Sequence, residues 1–265
     1  MSAELKNEAV LHRTDRDGIA TLTLNRPAAF NSLSSELIAA LQAELDSIRD
    51  DASVRVVIIA GAGPGFSAGH DLKEVRAHAG DTAFFQGLMA RCSAMMMAIV
   101  HSPKPVIAEV QGTATAAGCQ LVASCDLAVA ADDATFATPG VNIGLFCHTP
   151  MVALARNVGR KHAMEMLLTG ELMDAETAVR FGLINKAVPA ARLGDETRAL
   201  AAKIAAKSSY TLAIGKEAFY RQLEQDQAAA YDYASEVMIR NLMAHDAEEG
   251  IDAFIQKRPP EWQDR

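Results

Sequence analysis

Basic residues are in the minority, 25 Lys and Arg against 33 Asp and Glu, for a formal net charge of -8. A nucleic-acid footprint needs a basic stripe and is disfavoured, although a nucleotide-like cofactor needs only a few local cations. Cysteine is sparse: Cys92, Cys119, Cys125 and Cys147 contain no CxxC pair. A chain this long needs no disulfide staples, so reduced thiols and a cytoplasmic location are the simplest reading. Residues 1–8 carry Glu4, Lys6 and Glu8 with no apolar run behind them, so no secretory leader is expected. Charges interrupt the apolar runs before a bilayer-spanning length, which argues against a membrane partner. The segment Gly61-Ala62-Gly63-Pro64-Gly65 lacks dinucleotide-fingerprint spacing and has Pro64 where an N–H is wanted. No His, Cys, Asp or Glu group has metal-ligand spacing, so neither a metal nor a tightly bound cofactor is expected.

Half of the 265 residues are apolar, enough for one full α/β core. Two short strands, at 9–14 and 19–24, flank the turn Asp15-Arg16-Asp17-Gly18. Ser34 or Ser35 caps a helix whose apolar face is Leu37, Leu41, Leu45 and Ile48. The β-branched run 54–60 reads as a strand covered on both faces. The pattern then repeats: a helix over 81–101, a buried strand over 106–110, a small-residue loop over 112–118, a helix near 117–124 and a strand over 127–130. Helices follow at 149–158, 160–168 and 174–181, with a strand over 183–188. Beyond Pro189 the pattern is helical, at 192–207, 211–222, 227–245 and 247–256. This divides the chain into a 1–190 core and a 191–265 helical region.

Two small-residue loops follow buried strands and enter helices: Ala68-Gly69-His70-Asp71-Leu72 and Ala116-Ala117-Gly118. Small side chains admit a ligand to the backbone, and the first N–H groups of a helix have no intrahelical partner. Two such donors aimed at one carbonyl oxygen make an oxyanion hole, while spacing alone leaves plain tight turns as the alternative.

Several motifs together resemble the crotonase (enoyl-CoA hydratase/isomerase) superfamily. They are Asn25-Arg26-Pro27, Gly65-Phe66-Ser67-Ala68-Gly69-His70-Asp71-Leu72, Pro105-Val106-Ile107-Ala108, the run from Gly118 to Leu127, and the tail from Glu249 to Arg258. The resemblance spans about residues 9–258. It implies a spiral of ββα units, a helical C-terminal region used in a homotrimer or a dimer of trimers, and an acyl-CoA ligand, with coenzyme A carried as part of the substrate. By the family pattern the N–H groups of Ala68 and Ala117 grip the thioester oxygen. Phe254 and Lys257 reach the adenine and phosphate end of coenzyme A, Phe66 lies in the same ligand-binding motif, and Arg26 is an additional phosphate partner.

In the hydratases a pair of glutamates activates water and protonates the α-carbon. In this chain those positions carry Gln120 and Gly140. Glutamine can orient a water but is no base near neutral pH, and glycine offers no side chain. His148 is a candidate replacement acid/base, because imidazole titrates near neutrality. Cys147 and Asn142 are weaker candidates, and His70 has at most a supporting role. Asp71 suits a helix cap. Three readings follow: a hydratase- or isomerase-type enzyme with an altered acid/base set, a non-catalytic acyl-CoA-binding or regulatory protein, or another crotonase chemistry such as thioester hydrolysis, decarboxylation or C–C cleavage.

Overall fold

The structure, a computed structural model, describes residues 9–265. The expected charged, leaderless start at residues 1–8 lies outside them.

Strands β1 (Leu11–Arg16) and β2 (Ile19–Leu24) form an antiparallel hairpin, with Asp17 and Gly18 at positive φ in its turn. Ser34 caps α1 (Ser35–Arg49) by accepting from the Leu37 N–H. Strand β3 (Val56–Gly61) precedes a three-residue strand, β4 (Gly65–Ser67), and then α2 (Leu72–Ala77) and α3 (Thr82–Val100). The unit recurs as β5 (Val106–Val110), β6 (Thr113–Thr115) and α4 (Ala117–Ser124). It recurs again as β7 (Leu127–Ala131) and β8 (Thr135–Ala137), followed by α5 (Pro150–Asn157) and α6 (Arg160–Thr169). The chain continues through β9 (Met173–Asp174), α7 (Ala175–Phe181) and β10 (Lys186–Val188). It ends in α8 (Leu193–Ala205), α9 (Ser209–Gln222), α10 (Gln227–Leu242) and α11 (His245–Gln256).

These elements build two sheets, one of six strands in the order β1-β2-β3-β5-β7-β10 and one of four in the order β4-β6-β8-β9. Successive ββα units each place one strand in either sheet, so the chain winds as a crotonase-like spiral before its helical end. The second sheet went unread in the sequence because its strands are only two or three residues long, too short to display an alternation. The segment 61–65, read as a loop, is where β3 hands over to β4.

Strand β3 alternates its contacts as a doubly covered strand must. Val57 and Ile59 enter the main core with α1 and α3, while Val56 and Ile58 meet Ala201 of α8 on the opposite face. Helix α3 runs 19 residues with Arg91 as its one charge, long and apolar enough by composition to cross a membrane. The sequence reading had put charge breaks before such a length. In this fold α3 packs beside α1 and α4, with Leu88, Cys92, Met95, Met96 and Ile99 buried.

Asp126 fastens α9 to the core. Its carboxylate accepts from the Val106 N–H at 2.7 Å, the Lys216 ammonium at 2.7 Å and the Tyr220 hydroxyl at 2.9 Å. Lys216 also donates to the carbonyls of Ile99 and Lys104, so every partner of this buried cation is structural.

Candidate active site

β4 and β6 are parallel neighbours, so the loops at their C-terminal ends lie side by side. The first loop turns at Gly69, whose φ of +86° suits glycine. A Cβ there would lie 2.8 Å from the Ala116 Cβ and 3.0 Å from the Ala117 nitrogen. The second loop turns at Ala116, with φ 50° and ψ -119°, a strained conformation for a residue with a side chain. It is held by the Ala116 N–H donating to the Ala137 carbonyl at 3.0 Å. Gly118 then lets α4 close onto β4, since a Cβ there would lie 2.2 Å from the Ser67 carbonyl oxygen.

The first intrahelical bond of α4 runs from the Gln120 N–H to the Ala116 carbonyl. Ala117 is the first residue of the helix, so its N–H lies ahead of that ladder, at the positive end of the helix dipole. On the facing loop the expected donor is corrected. The Ala68 N–H donates to the Phe30 carbonyl at 2.9 Å and is engaged inside the protein. His70 forms a parallel bridge with Leu33. The bridge bonds run from the Leu33 N–H to the Gly69 carbonyl and from the Asp71 N–H to the Leu33 carbonyl. The N–H of His70 itself therefore faces away from Leu33. The positive φ at Gly69 reverses the strand's alternation, and spacing alone gives no sign of that.

Two residues expected to touch the ligand are engaged within the protein. Phe66 is wholly buried in the core. The Arg26 guanidinium donates to the Asp71 carboxylate at 2.8 Å and to the Ser32 hydroxyl and carbonyl, so its charge is already matched. The same guanidinium holds the Asp71 carboxyl below the usual carboxylate range. Asp71 also caps α2 through the Lys73 and Glu74 N–H groups. Phe254 is 85% exposed, and Lys257 ends α11 in the left-handed region. Their helix packs on α10 and the C-terminal tail.

Gln120 is 6% exposed, and its Oε1 has no hydrogen-bond partner. The residue is part of the lining of a cavity of about 1200 Å³ that runs along α4 past Ser124 and is walled by Met96, Met97, Val152 and Phe219, while the Oε1 itself is enclosed. Gly140 is buried, and a Cβ there would lie 2.8 Å from the Leu145 carbonyl oxygen and 3.0 Å from the Cys147 Sγ. His148 is exposed and tilted against the Phe146 ring, at 5.2 Å between centroids. Its neighbour Thr149 lines the cavity with Gln120, but the imidazole does not. Asn142 reaches only the Gly170 carbonyl, at 3.5 Å. Burial pushes the Cys119 thiol up to about 12, with nearby Cys147 adding to the shift, and burial also raises Cys147. Neither is a thiolate nucleophile at neutral pH. Among the described residues no group of three or more His, Cys, Asp or Glu could hold a metal ion.

Both ring nitrogens of His70 are buried without hydrogen-bond partners, and burial holds its pKa below the ordinary 6.5, with the Leu33 backbone and then Glu74 partly opposing. The folded state thus favours the neutral imidazole, and the unfolded chain takes up a proton first as pH falls. The stabilisation is present above about pH 6.5 and is lost as pH falls from there toward the lower folded value. Urea midpoints are expected to drop between about pH 7.5 and 5.5, and the drop to shrink in His70→Asn. An equal drop in the variant would contradict this.

The structure is similar to a crystal structure of enoyl-CoA hydratase from Mycobacterium smegmatis, with a TM-score of 0.94 and 52% identity over 96% of this chain and 99% of that one. It is also similar to the crystal structure of human enoyl Coenzyme A hydratase domain-containing protein 3, with a TM-score of 0.92 and 49% identity over 96% and 100%. In sequence, enoyl-CoA hydratase domain-containing protein 3, mitochondrial, of Rattus norvegicus is 50% identical over 93% of this chain and 82% of its own length. The relatives of that name from mouse, human, frog and zebrafish are likewise called mitochondrial. This overturns the cytoplasmic expectation, which rested on reduced cysteines. Buried free thiols suit any reducing compartment and cannot choose between them. The sequence matches the Enoyl-CoA hydratase/isomerase family over residues 14–265. With that match over nearly the whole chain and relatives at about half identity, the chain belongs to the enoyl-CoA hydratase/isomerase family.

Proposed function

We propose that the protein binds an acyl-CoA thioester and polarises its carbonyl between the backbone N–H groups of His70 and Ala117. The observation that supports this most is the pair of turns, Gly69 and Ala116, that bring the two loops together at positive φ. Donors fixed in this way stabilise negative charge on the thioester oxygen, and with it the enolate that forms when the α-carbon loses a proton. Phe254 and Lys257 are read as contacts for the coenzyme A end. The exposed apolar residues of α9 to α11, among them Phe219, Met238, Ile239 and Met243, support a trimer built on the helical region 191–265.

Efficient water addition is not part of this reading. Gln120 cannot act as a base, Gly140 has no room for a side chain, and the exposed His148 is left out of the set. Losing one general acid/base group commonly removes about 10²–10⁴ of rate. The filled space at Gly140 also favours a second reading, an acyl-CoA-binding protein without turnover.

The test is incubation with 2-enoyl-CoAs of several chain lengths in D₂O, followed by NMR and mass spectrometry, with binding measured calorimetrically. Thioester binding with at most trace hydration is the expected result. Rapid formation of 3-hydroxyacyl-CoA would show that another group has replaced the glutamates. Absence of thioester binding would overturn the proposal. Deuterium at the α-carbon would favour the enzyme reading, and none would favour the binding reading.

A further inference from the structure

Helix α11 buries only Asp246 and Ala253, so little apolar packing holds it in place. The tail that follows, residues 258–265, turns back along the helix and supplies what packing does not. The Arg258 guanidinium donates to both carboxylate oxygens of Glu249, at 2.6 and 2.7 Å, and the Glu261 N–H donates to the same group at 2.7 Å. The Trp262 ring lies against Gly250, and its Nε1 donates to the Ala206 carbonyl at the end of α8, at 2.9 Å. Near the helix start the Asp246 carboxylate accepts from the Gln263 and Asp264 N–H groups, at 2.7 and 2.9 Å. The Asp264 carboxylate in turn accepts from Arg55, just ahead of β3, at 2.8 Å and from the Ser209 N–H at 2.7 Å. The tail thus clamps α11 from both ends and ties it to the core.

Lys257 stands between helix and tail, at φ 58° and ψ 38°. Glycine is favoured in that conformation, yet the chain carries a lysine. Lys257 is exposed and among the described residues forms no ion pair, while the next cation, Arg258, is engaged by Glu249. The Arg258 bonds, with the Glu261 N–H, pull the Glu249 carboxyl down to about 2, so the pair stays ionised at neutral pH. A left-handed residue held by its surroundings beside a fixed ion pair suits a cation aimed at a ligand.

We propose that Glu249 is a positioning residue for the nucleotide end of the ligand: by gripping Arg258 it fixes the left-handed turn that aims Lys257, without touching the ligand itself. The inference rests on the reading of Lys257 as a coenzyme A contact. It fixes the sign of a charge effect. Glu249 is an acid close to the approaching phosphates, so by charge alone its removal strengthens binding of the nucleotide end. If its work is placement, removal weakens that binding.

The experiment is calorimetric titration of the full chain with octanoyl-CoA and with octanoyl-pantetheine, which carries the same thioester without the nucleotide and its phosphates. The natural protein is expected to bind octanoyl-CoA about tenfold or more tightly than octanoyl-pantetheine. In Glu249→Gln that ratio is expected to fall about fivefold, with octanoyl-pantetheine affinity unchanged. Arg258→Lys, which keeps a cation but loses the two-pronged grip, is expected to lower the ratio too, and it decides the matter if Glu249→Gln does not fold. Lys257→Gly is expected to lower the ratio at least as far without lowering the urea midpoint, since glycine suits the turn. A ratio that holds or rises in Glu249→Gln and Arg258→Lys while Lys257→Gly loses it overturns this inference alone, as does an equal loss for both ligands. No discrimination in the natural protein, or none lost in Lys257→Gly, overturns the Lys257 contact and the inference with it. Failure of both ligands to bind overturns the thioester reading as well.

Discussion

Gly69→Ala is expected to lower stability by about 2–4 kcal/mol and to weaken thioester binding by about tenfold or more. Two effects combine. The φ of +86° places an added side chain in a conformation that costs about 1–2 kcal/mol. The new methyl would also sit 2.8 Å from the Ala116 Cβ, 3.0 Å from the Ala117 nitrogen and 3.0 Å from the Thr115 carbonyl oxygen. Those three atoms belong to the turn that aims the Ala117 N–H, so relief of the collision moves the proposed donor. Gly80→Ala separates the two effects. Gly80 has φ +87°, but a Cβ there meets nothing within 4 Å. Its variant should lose about 1 kcal/mol and keep thioester affinity. Urea midpoints and calorimetric titration with octanoyl-CoA check both, and equal affinities in the two variants would contradict the account.

Gly140→Glu is expected to destabilise the fold by about 3 kcal/mol or more and to add no hydratase activity, either alone or combined with Gln120→Glu. The resemblance assigns a glutamate to this position, but the chain's own backbone fills the space. The Leu145 N–H donates to the Gly140 carbonyl at 2.9 Å, and this bond draws the Leu145 carbonyl to 2.8 Å from where a Cβ would begin. The Cys147 Sγ closes the other side at 3.0 Å. A glutamate must therefore displace the segment from Leu145 to Cys147 before its carboxylate can reach any water. NMR of 2-octenoyl-CoA with the double variant, alongside its urea midpoint, reads both effects. Hydration at natural-protein stability would show that the segment yields easily.

Local chemistry was legible wherever one short stretch decides it. The hydrophobic face of α1, the cap at Ser34, the doubly covered strand β3 and the cap at Asp71 each depend on residues within one or two turns. The combined motifs likewise carried the spiral and the family. The four-stranded sheet was not legible, because its short strands hold together by pairing with segments distant in the chain. Burial of Phe66 and neutralisation of Arg26 by Asp71, 45 residues away, also depend on distant segments meeting.

The sequence by itself determined which residue types stand at the site: two loops of small residues, a glutamine in place of an acid at 120, and no side chain at 140. Only the tertiary structure decided which N–H groups are engaged inside the protein. A backbone donor's direction depends on φ and ψ and on the carbonyl that claims it. Phe30 claims Ala68, while the turn at Gly69 carries His70 to the other side. Only the tertiary structure showed, too, that the space beside Gly140 is filled and that the Gln120 Oε1 is enclosed without a partner, because both depend on segments that the sequence does not place together.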